Sequence, residues 1–453
     1  MPLQTAFVNL IFLLSFFPFL RVVPDIEAEV QPIAGLLAGL FILLYRFKLD
    51  QQAFACFVIL ALIVIYTLVS TLLEYELTTT VFQGIAYSMP ILIFLALKDS
   101  LPLLSKRLYL AVLFLNLAVG LLQYFGAYEP IVSFFRLDLL FPRSAGTLEL
   151  GGGRGVSLFT PEPSYSAMII MQFWASAIFF YVRRQTSRIE FPLLGAVIVT
   201  MVLLNRSGTA IVLCALFAVG YLSGLSWLAR YKLRYLASIL VVAVLFIFSW
   251  TLLSSSILSD AQEINIRFVT LMRKVMDREF WGKNLDEMMA EIAGKRYLTV
   301  YVGYYSLFTS MGLGYGIGSY ATKFFEVSVL GGVDFSTYAV FGELERFASQ
   351  LKPDSFAAAF AMDTGLLGLA AVTYLAVGCY FYRNRSGVVL TAQMPLRLGM
   401  FFVAFYTVFF HTATSLPVPW VFLAIIRGGF LPVNKGEVLP FAPVVAMDPN
   451  IRR

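Results

Sequence analysis

The chain has 453 residues, of which 59% are hydrophobic and only 13% are charged, and its net charge is +6. Soluble globular domains carry about a quarter charged residues, so this sequence lacks the polar residues that would cover a water-facing globule. The basic residues fall in short clusters between apolar runs, which argues against nucleic acid as a partner. The composition predicts a single all-α, polytopic membrane domain over residues 1–453.

Apolar runs long enough to cross a bilayer recur along the whole chain. A hydrocarbon core of about 30 Å requires about 20 apolar residues per helix. We therefore expect about twelve transmembrane helices, near residues 3–20, 30–45, 53–73, 80–97, 108–125, 163–182, 191–205, 208–229, 236–254, 363–382, 396–412 and 417–431. No Lys or Arg precedes the first run, so we interpret it as a retained helix rather than a cleaved signal peptide.

The distribution of Lys and Arg predicts the orientation of these helices. One alternating set of loops, with the C-terminal tail, holds eighteen of them, whereas the opposite short loops hold only Arg21 and Arg206. The positive-inside rule places the larger set, and both termini, in the cytoplasm. Residues 126–162 and 255–362 are then outer loops, and the pattern at 264–276 predicts an amphipathic surface helix there. A large outer loop indicates that function lies on the outer face.

The first outer loop contains candidate ligands for an anionic substrate. Arg154 lies in a glycine-rich run, and Glu162 precedes a Pro-Ser helix start at the membrane edge. Arg206 lies in the short Asn-Arg-Ser-Gly turn and is a further candidate. Guanidinium groups bind phosphate in a bidentate manner, and helix N-termini favour anions. The alternatives are a solvated salt bridge at Arg154 and a lipid-phosphate anchor at Arg206.

The long outer loop continues with Arg296, an aromatic run and four alternating glycines at 312–318. No Gly-Lys-Ser/Thr follows the glycines, so they do not predict a nucleotide site. Tyr165, Tyr297 and Tyr315 are candidates for stacking on sugars, and interfacial anchoring is the competing interpretation.

His411 is the only histidine and lies at the predicted outer end of its helix. It could carry a proton near neutral pH, although a capping or packing role is the alternative. The three cysteines, Cys56, Cys214 and Cys379, lie inside apolar runs without paired spacing. They predict neither a disulfide framework nor a metal site.

These segments, in this order, resemble the O-antigen polymerase and O-antigen ligase superfamily of bacterial inner-membrane glycosyltransferases. The similarity covers about residues 150–430, and it includes the Asp-Thr-Gly-Leu-Leu-Gly run at 363–368, which matches the family's acidic-x-Gly-Leu-Leu-Gly helix start. The spacing of Arg296 and Gly312 resembles an arginine–glycine motif of polymerase outer loops. The resemblance implies an all-α, GT-C-like fold with a large periplasmic loop.

One position departs from the ligase pattern. Ligases of this superfamily usually carry a His-Asn or His-Ser pair about eleven residues before the glycine that Gly365 matches. Asp354 occupies that position here. The difference favours a polymerase and leaves open a ligase in which His411 or Asp354 takes the role of the histidine.

The resemblance implies glycosyl transfer between oligosaccharide units carried on polyprenyl diphosphate, without a metal or other cofactor. Arg154, Arg206 and Arg296 would bind the diphosphate, and a carboxylate would serve as base. Glu162 is then the first candidate base and Asp354 the second. The expected partners are the lipid bilayer, a chain-length regulator and a flippase.

Two further functions compete with this prediction. A secondary transporter or flippase for lipid-linked sugars tends to show repeated halves and charges at mid-membrane depth. The sequence suggests neither feature, and the arginines cluster at predicted outer edges. The third alternative is an accessory protein of polysaccharide assembly that has no active site.

Overall fold

The computed structural model describes residues 2–21, 33–45, 48–141, 155–228, 295–333, 352–382, 393–412 and 414–430. Every regular element in these ranges is helical. The α-helices are α1 (Pro2–Leu14), α2 (Ile33–Leu44), α3 (Gln51–Leu72), α4 (Leu77–Leu97), α5 (Lys106–Tyr124), α6 (Tyr128–Phe135), α7 (Leu137–Leu140), α8 (Pro163–Val182), α9 (Glu190–Asn205), α10 (Gly208–Leu228), α11 (Lys295–Thr309), α12 (Tyr320–Leu330), α13 (Phe356–Phe381), α14 (Met394–Phe410) and α15 (Val418–Gly428).

Six of these helices are long and apolar enough to cross a membrane, namely α3, α4, α5, α8, α10 and α13. Five shorter apolar helices, α1, α2, α9, α14 and α15, have 10–17 residues within the described ranges. Helices therefore occupy eleven of the twelve segments predicted from the sequence. The twelfth segment, 236–254, and the predicted amphipathic helix at 264–276 lie outside the described residues.

Helix α13 begins seven residues earlier than predicted. Ser355 is its N-cap, and the Ala358 N–H donates to Ser355 Oγ at 3.2 Å. The Ser355 hydroxyl also donates to Val408 O of α14 at 3.1 Å. The prediction began this helix at Asp363, the helix start that the resemblance implies, and so assigned residues 356–362 to the outer loop.

The most deeply buried helices are α4, α8 and α15. In the most apolar stretch of each long helix, 83% of the residues of α8 and 72% of those of α4 are buried. In α15 every residue from Val418 to Arg427 is buried. Apolar side chains in these helices therefore face other helices, whereas only 33% of the residues in the apolar stretch of α3 and 22% of those in α10 are buried.

Two glycines on one face of α10 allow close packing against α14. Gly220 and Gly224 are four residues apart, and a Cβ at Gly220 would lie 2.8 Å from Leu398 O. A Cβ at Gly224 would lie 2.5 Å from Pro395 Cα. Small residues at this spacing let the backbones of membrane helices approach closely.

One end of the bundle, which we call the basic end, contains a neutral cluster of four buried or half-buried charges. Lys98 Nζ lies 3.3 Å from Asp50 and 2.6 Å from Asp99. Arg427 bonds both carboxylates and lies 2.9 Å from Asp99. Partial burial acts to raise the pKa of Asp50, but the Ala53 N–H and the charges of Arg427 and Lys98 outweigh it, so this pKa lies below its ordinary value.

Other basic side chains at this end cap the carbonyl ends of helices. Arg397 donates to Cys379 O at 3.0 Å and to Tyr382 O at 3.1 Å. Lys106 donates to Gln185 O at 2.8 Å, just beyond the end of α8. Cations are favourable where helix dipoles end in unpaired carbonyls.

Candidate functional site

The end opposite the basic end carries most of the residues predicted to act on a substrate. Helices α5, α9 and α14 end there, and α8, α10 and α13 begin there. We call it the His411 end. Hydrogen bonds join its segments to one another, so residues far apart in sequence share one region.

Asn205 joins the end of α9 to the start of α8. Its buried Nδ2 donates to Val156 O at 2.9 Å and to Pro163 O at 3.0 Å, and it lies 2.5 Å from Ser166 Oγ. Its Oδ1 is buried and has no hydrogen-bond partner among the described residues. The amide therefore fixes the segment before α8 against the turn after α9.

Arg206, directly after Asn205, is exposed and takes a left-handed backbone conformation with φ of 49°. Its guanidinium lies 5.5 Å from the centre of the Tyr124 ring, and its Nη2 lies 3.5 Å from the Tyr124 hydroxyl. Stacking on an aromatic ring holds a guanidinium in place while its N–H groups stay available to an anion.

Glu162, directly before Pro163, is the N-cap residue of α8 and is exposed. The Ser164 hydroxyl donates to Glu162 Oε2 at 3.1 Å. The carboxylate makes no side-chain capping bond to the helix backbone. Because Asn205 binds the carbonyl of the residue after Glu162, Glu162 and Arg206 lie on adjacent segments of one surface.

His411 follows the last residue of α14 and is buried. Its Nε2 lies 3.3 Å from Thr209 Oγ1 of α10, and its ring centre lies 6.0 Å from that of Tyr406. His411 therefore lies nearer the interior than the exposed Glu162 and Arg206.

Asp354, half-buried before α13, ties three helices together through its backbone. Its N–H donates to Thr299 Oγ1 of α11 at 3.2 Å, and its carbonyl accepts from the Thr412 N–H at 3.0 Å. Asp354 therefore contacts Thr412, the residue that directly follows His411. Thr299 is one helical turn after Arg296, which places the backbone of Arg296 in the same region.

The other residues predicted to bind sugar or diphosphate do not join this group in the described part of the structure. Tyr165 packs against Phe19 with ring centres 5.2 Å apart. Tyr315 lies in the loop between α11 and α12, where Lys323 Nζ is 6.0 Å from its ring centre. Arg154 and the side chains of Arg296 and Tyr297 lie outside the described part of the structure.

The glycine-rich loop between α11 and α12 packs against a break in α13. Gly365 has φ of 71° and ψ of −156°, which no residue in an α-helix adopts. The Leu366 N–H donates to Gly312 O at 2.8 Å, and the N–H groups of Tyr315 and Gly316 donate to the carbonyls of Met362 and Asp363 at 3.0 and 2.8 Å. The loop thus supplies the partners that the broken helix lacks.

Asp363, next to this break, was not among the site residues predicted from the sequence. It is 1% exposed, and its carboxylate accepts from the Tyr87 hydroxyl at 2.8 Å and the Ser319 hydroxyl at 2.8 Å. The Gly318 N–H lies 3.4 Å from its Oδ2. An acid inside an apolar run, two residues before a glycine, was the available signal. The family resemblance identified that run only as a helix start.

No protein-family model matches the chain, and a search of curated proteins returns no match. Within the described residues, no three His, Cys, Asp or Glu side chains are grouped so that they could hold a metal ion. The candidate site therefore consists of the exposed Glu162 and Arg206, with the more buried His411 and Asp354 on neighbouring segments.

Proposed function

We propose that this chain is a multi-pass protein of the bacterial inner membrane, with the His411 end on the outer face. Six long apolar helices support the membrane placement. The basic end, which carries Lys98, Lys106, Arg397 and Arg427, would face the cytoplasm by the positive-inside rule. The twelve spans and the cytoplasmic termini expected from the sequence are part of this proposal.

The proposed activity is glycosyl transfer that polymerises oligosaccharide units carried on polyprenyl diphosphate. The observation that carries it is the set of hydrogen bonds from the Asn205 amide to Val156 O and Pro163 O. These bonds hold the exposed Arg206 and the exposed Glu162 on adjacent segments at the His411 end. A guanidinium and a carboxylate on adjacent segments suit a reaction in which a diphosphate leaves and a hydroxyl loses a proton. The resemblance of this region to O-antigen polymerases supports the same activity.

The reaction follows from these two groups. Glu162 takes the proton of the acceptor sugar hydroxyl, whose oxygen bonds to the anomeric carbon of the donor. The bond between that carbon and the diphosphate oxygen breaks, and Arg206 stabilises the negative charge of the polyprenyl diphosphate that leaves. Asp354 and His411 are the alternative proton acceptors on neighbouring segments.

Chain extension by purified protein in detergent tests this activity. Polyprenyl-linked repeat units should become longer chains, and the Glu162→Gln variant should extend them about 10²–10⁴-fold more slowly because it lacks the base. Glu129→Gln, at another exposed acid between α5 and α8, is the matched control and should keep the wild-type rate. Normal turnover in Glu162→Gln would move the role of base to Asp354 or His411, and no extension by the wild type would contradict the proposal.

Asp354 bears on the choice between polymerase and ligase. A ligase would transfer a finished chain to a different acceptor lipid, whereas a polymerase joins repeat units. Asp354 stands where ligases carry histidine, and its backbone is fixed between α11 and α14. The products formed from repeat units alone distinguish the two, because only a polymerase lengthens them.

A secondary transporter for lipid-linked sugars is the second candidate, and Asp363 is the observation that favours it. This carboxylate is fully buried beside the break at Gly365, within a helix long enough to cross a membrane. Buried acids and discontinuous helices are common at transporter sites. A transporter would move substrate between compartments of sealed proteoliposomes and would extend no chains in detergent.

A further inference from the structure

The loop between α11 and α12, residues 310–319, reaches into the bundle from the His411 end. The Tyr66 hydroxyl donates to Leu313 O at 2.7 Å, and Tyr66 lies six residues before the end of α3. Gly365, which contacts the loop, lies nine residues after the start of α13. At 1.5 Å per helical residue, this loop, which we call the tip, reaches about 9–14 Å inside the ends of these two helices.

Three apolar side chains in or directly before this loop face outward. Met311 is 90% exposed, Phe308 is 80% exposed and Leu313 is 70% exposed. They adjoin the exposed Leu366 and Leu367 of α13, and the side chain of Leu366 meets Gly312. The outward face of the tip is therefore continuous with the exposed apolar face of a helix proposed to span the membrane. Acyl chains of the bilayer match this surface.

A non-helical backbone is tolerated at membrane depth only where protein satisfies its polar groups, since lipid offers no hydrogen-bond partner for an unpaired N–H or C=O group. The tip meets this requirement. Ser310 Oγ accepts from the Gly314 N–H at 3.1 Å, and carbonyls of α13 accept from the next two N–H groups. A Cβ at Gly314 would lie 2.5 Å from Gly365 N, so the two backbones touch.

Asp363 binds the C-terminal part of the tip, at Gly318 and Ser319. Its carboxylate binds the Ser319 hydroxyl and the Gly318 N–H from the tip, and the Tyr87 hydroxyl from α4. One buried side chain thus joins the tip to two long apolar helices. Beyond the tip, α12 carries the Lys323–Glu326 ion pair, whose exposed glutamate indicates where the chain returns to water.

We propose that residues 310–319 form a re-entrant segment that enters the bilayer from the His411 face, contacts acyl chains through Met311 and Leu313 beside Phe308 of α11, and is anchored by Asp363. This inference rests on the proposed membrane placement, but it requires no particular enzymatic activity.

Fluorescence quenching of single-cysteine variants in liposomes tests the proposal. With Cys56, Cys214 and Cys379 replaced by Ala, a bimane label is attached at Met311→Cys or at the matched control Glu326→Cys. We expect nitroxide groups on the acyl chains to quench the label at 311, and iodide in the buffer to quench it several-fold less than the label at 326. Iodide quenching at 311 equal to that at 326 would overturn the proposal.

A label at Leu367→Cys separates failure of this inference from failure of the membrane placement. Acyl-chain quenching at 367 together with iodide quenching at 311 would reject the re-entrant segment alone. Iodide quenching at both positions would reject the membrane placement of α13 as well.

The anchor is tested in the same assay with Asp363→Ala and Asp363→Asn. We expect the Ala variant to lose acyl-chain quenching at 311 while the label at 367 stays in lipid, which shows that α13 remains folded. The Asn variant, whose carbonyl oxygen still accepts a hydrogen bond, should lose less. A label at 311 that behaves as in the wild type when Asp363 is Ala would show that Asp363 is not the anchor.

Discussion

Arg206 occupies a backbone conformation that is unfavourable for an arginine. At the C-terminus of a helix the left-handed position usually holds Gly, or sometimes Asn, because other residues pay about 1–2 kcal/mol there. Arg206 takes this conformation while its guanidinium stacks on Tyr124. A strained arginine at an exposed helix end is consistent with a functional role, because stability alone would favour another residue.

Replacing Arg206 by Asn should therefore separate stability from activity. We expect Arg206→Asn to melt at the wild-type temperature or above it, with a gain of up to about 1 kcal/mol, because Asn tolerates the left-handed region better. Chain extension should be impaired. Arg184, at φ of 58° near the basic end, provides the matched control, and Arg184→Asn should leave activity unchanged.

Arg206→Lys refines this test, since lysine keeps the charge but loses the planar fork. A bidentate diphosphate site predicts a lower extension rate for the Lys variant. A wild-type rate would identify Arg206 as a lipid anchor or a simple point charge.

At the basic end, the charged residue Asp50 has a structural role. Its carboxylate accepts from the Ala53 N–H at 2.8 Å and binds Lys98 and Arg427. Because these contacts hold the pKa of Asp50 below its ordinary value of 3.8, the stability they provide is present above that pH. It is lost as the pH falls through the lower pKa of the folded protein.

Asp50→Asn should consequently destabilise the protein by about 1.5–3 kcal/mol near neutral pH, the usual contribution of hydrogen bonds to a charged group. The difference in melting temperature between wild type and variant should shrink once the pH falls below 3.8. A difference that stays constant into that acid range would contradict the role assigned to this carboxylate.

At the scale of elements, α13 shows which features the sequence could predict. Its apolar composition was sufficient to predict a helix, since that depends on residues close in the chain. The break at Gly365 was not predicted, because it depends on a loop about fifty residues earlier that supplies hydrogen bonds to the opened backbone. For the same reason the sequence alone could test the glycines at 312–318 only against a nucleotide-binding motif, which they do not match.

The break makes Gly365 and Gly378, two glycines of α13, respond differently to the same change. Gly365→Ala should destabilise the protein by about 1–3 kcal/mol or more, because its φ of 71° and ψ of −156° lie in a region nearly exclusive to glycine. Gly378→Ala is the matched control, because its nearest contact is 3.6 Å away. Thermal melting in detergent should rank Gly365→Ala lowest, and equal melting temperatures would show that α13 does not need the break.

At the scale of the whole molecule, the sequence indicated a bundle of apolar helices and the structure adds how its two ends differ. The basic end holds a cluster of compensated charges, and the His411 end holds the exposed Glu162 and Arg206. The placement of these two residues on adjacent segments depends on Asn205, whose buried amide contacts the start of another helix. Spacing along the chain cannot predict such a contact, although the charge asymmetry did separate the two sets of loops.

The most direct test of the proposed arrangement is the side of the membrane on which each end lies. Single cysteines at Glu129, between α5 and α8, and at Arg188, between α8 and α9, are both at exposed positions. In intact cells an impermeant maleimide should modify the cysteine at 129 and spare the one at 188. Modification of 188 with protection of 129 would place Glu162 and Arg206 in the cytoplasm and contradict every role assigned to the His411 end.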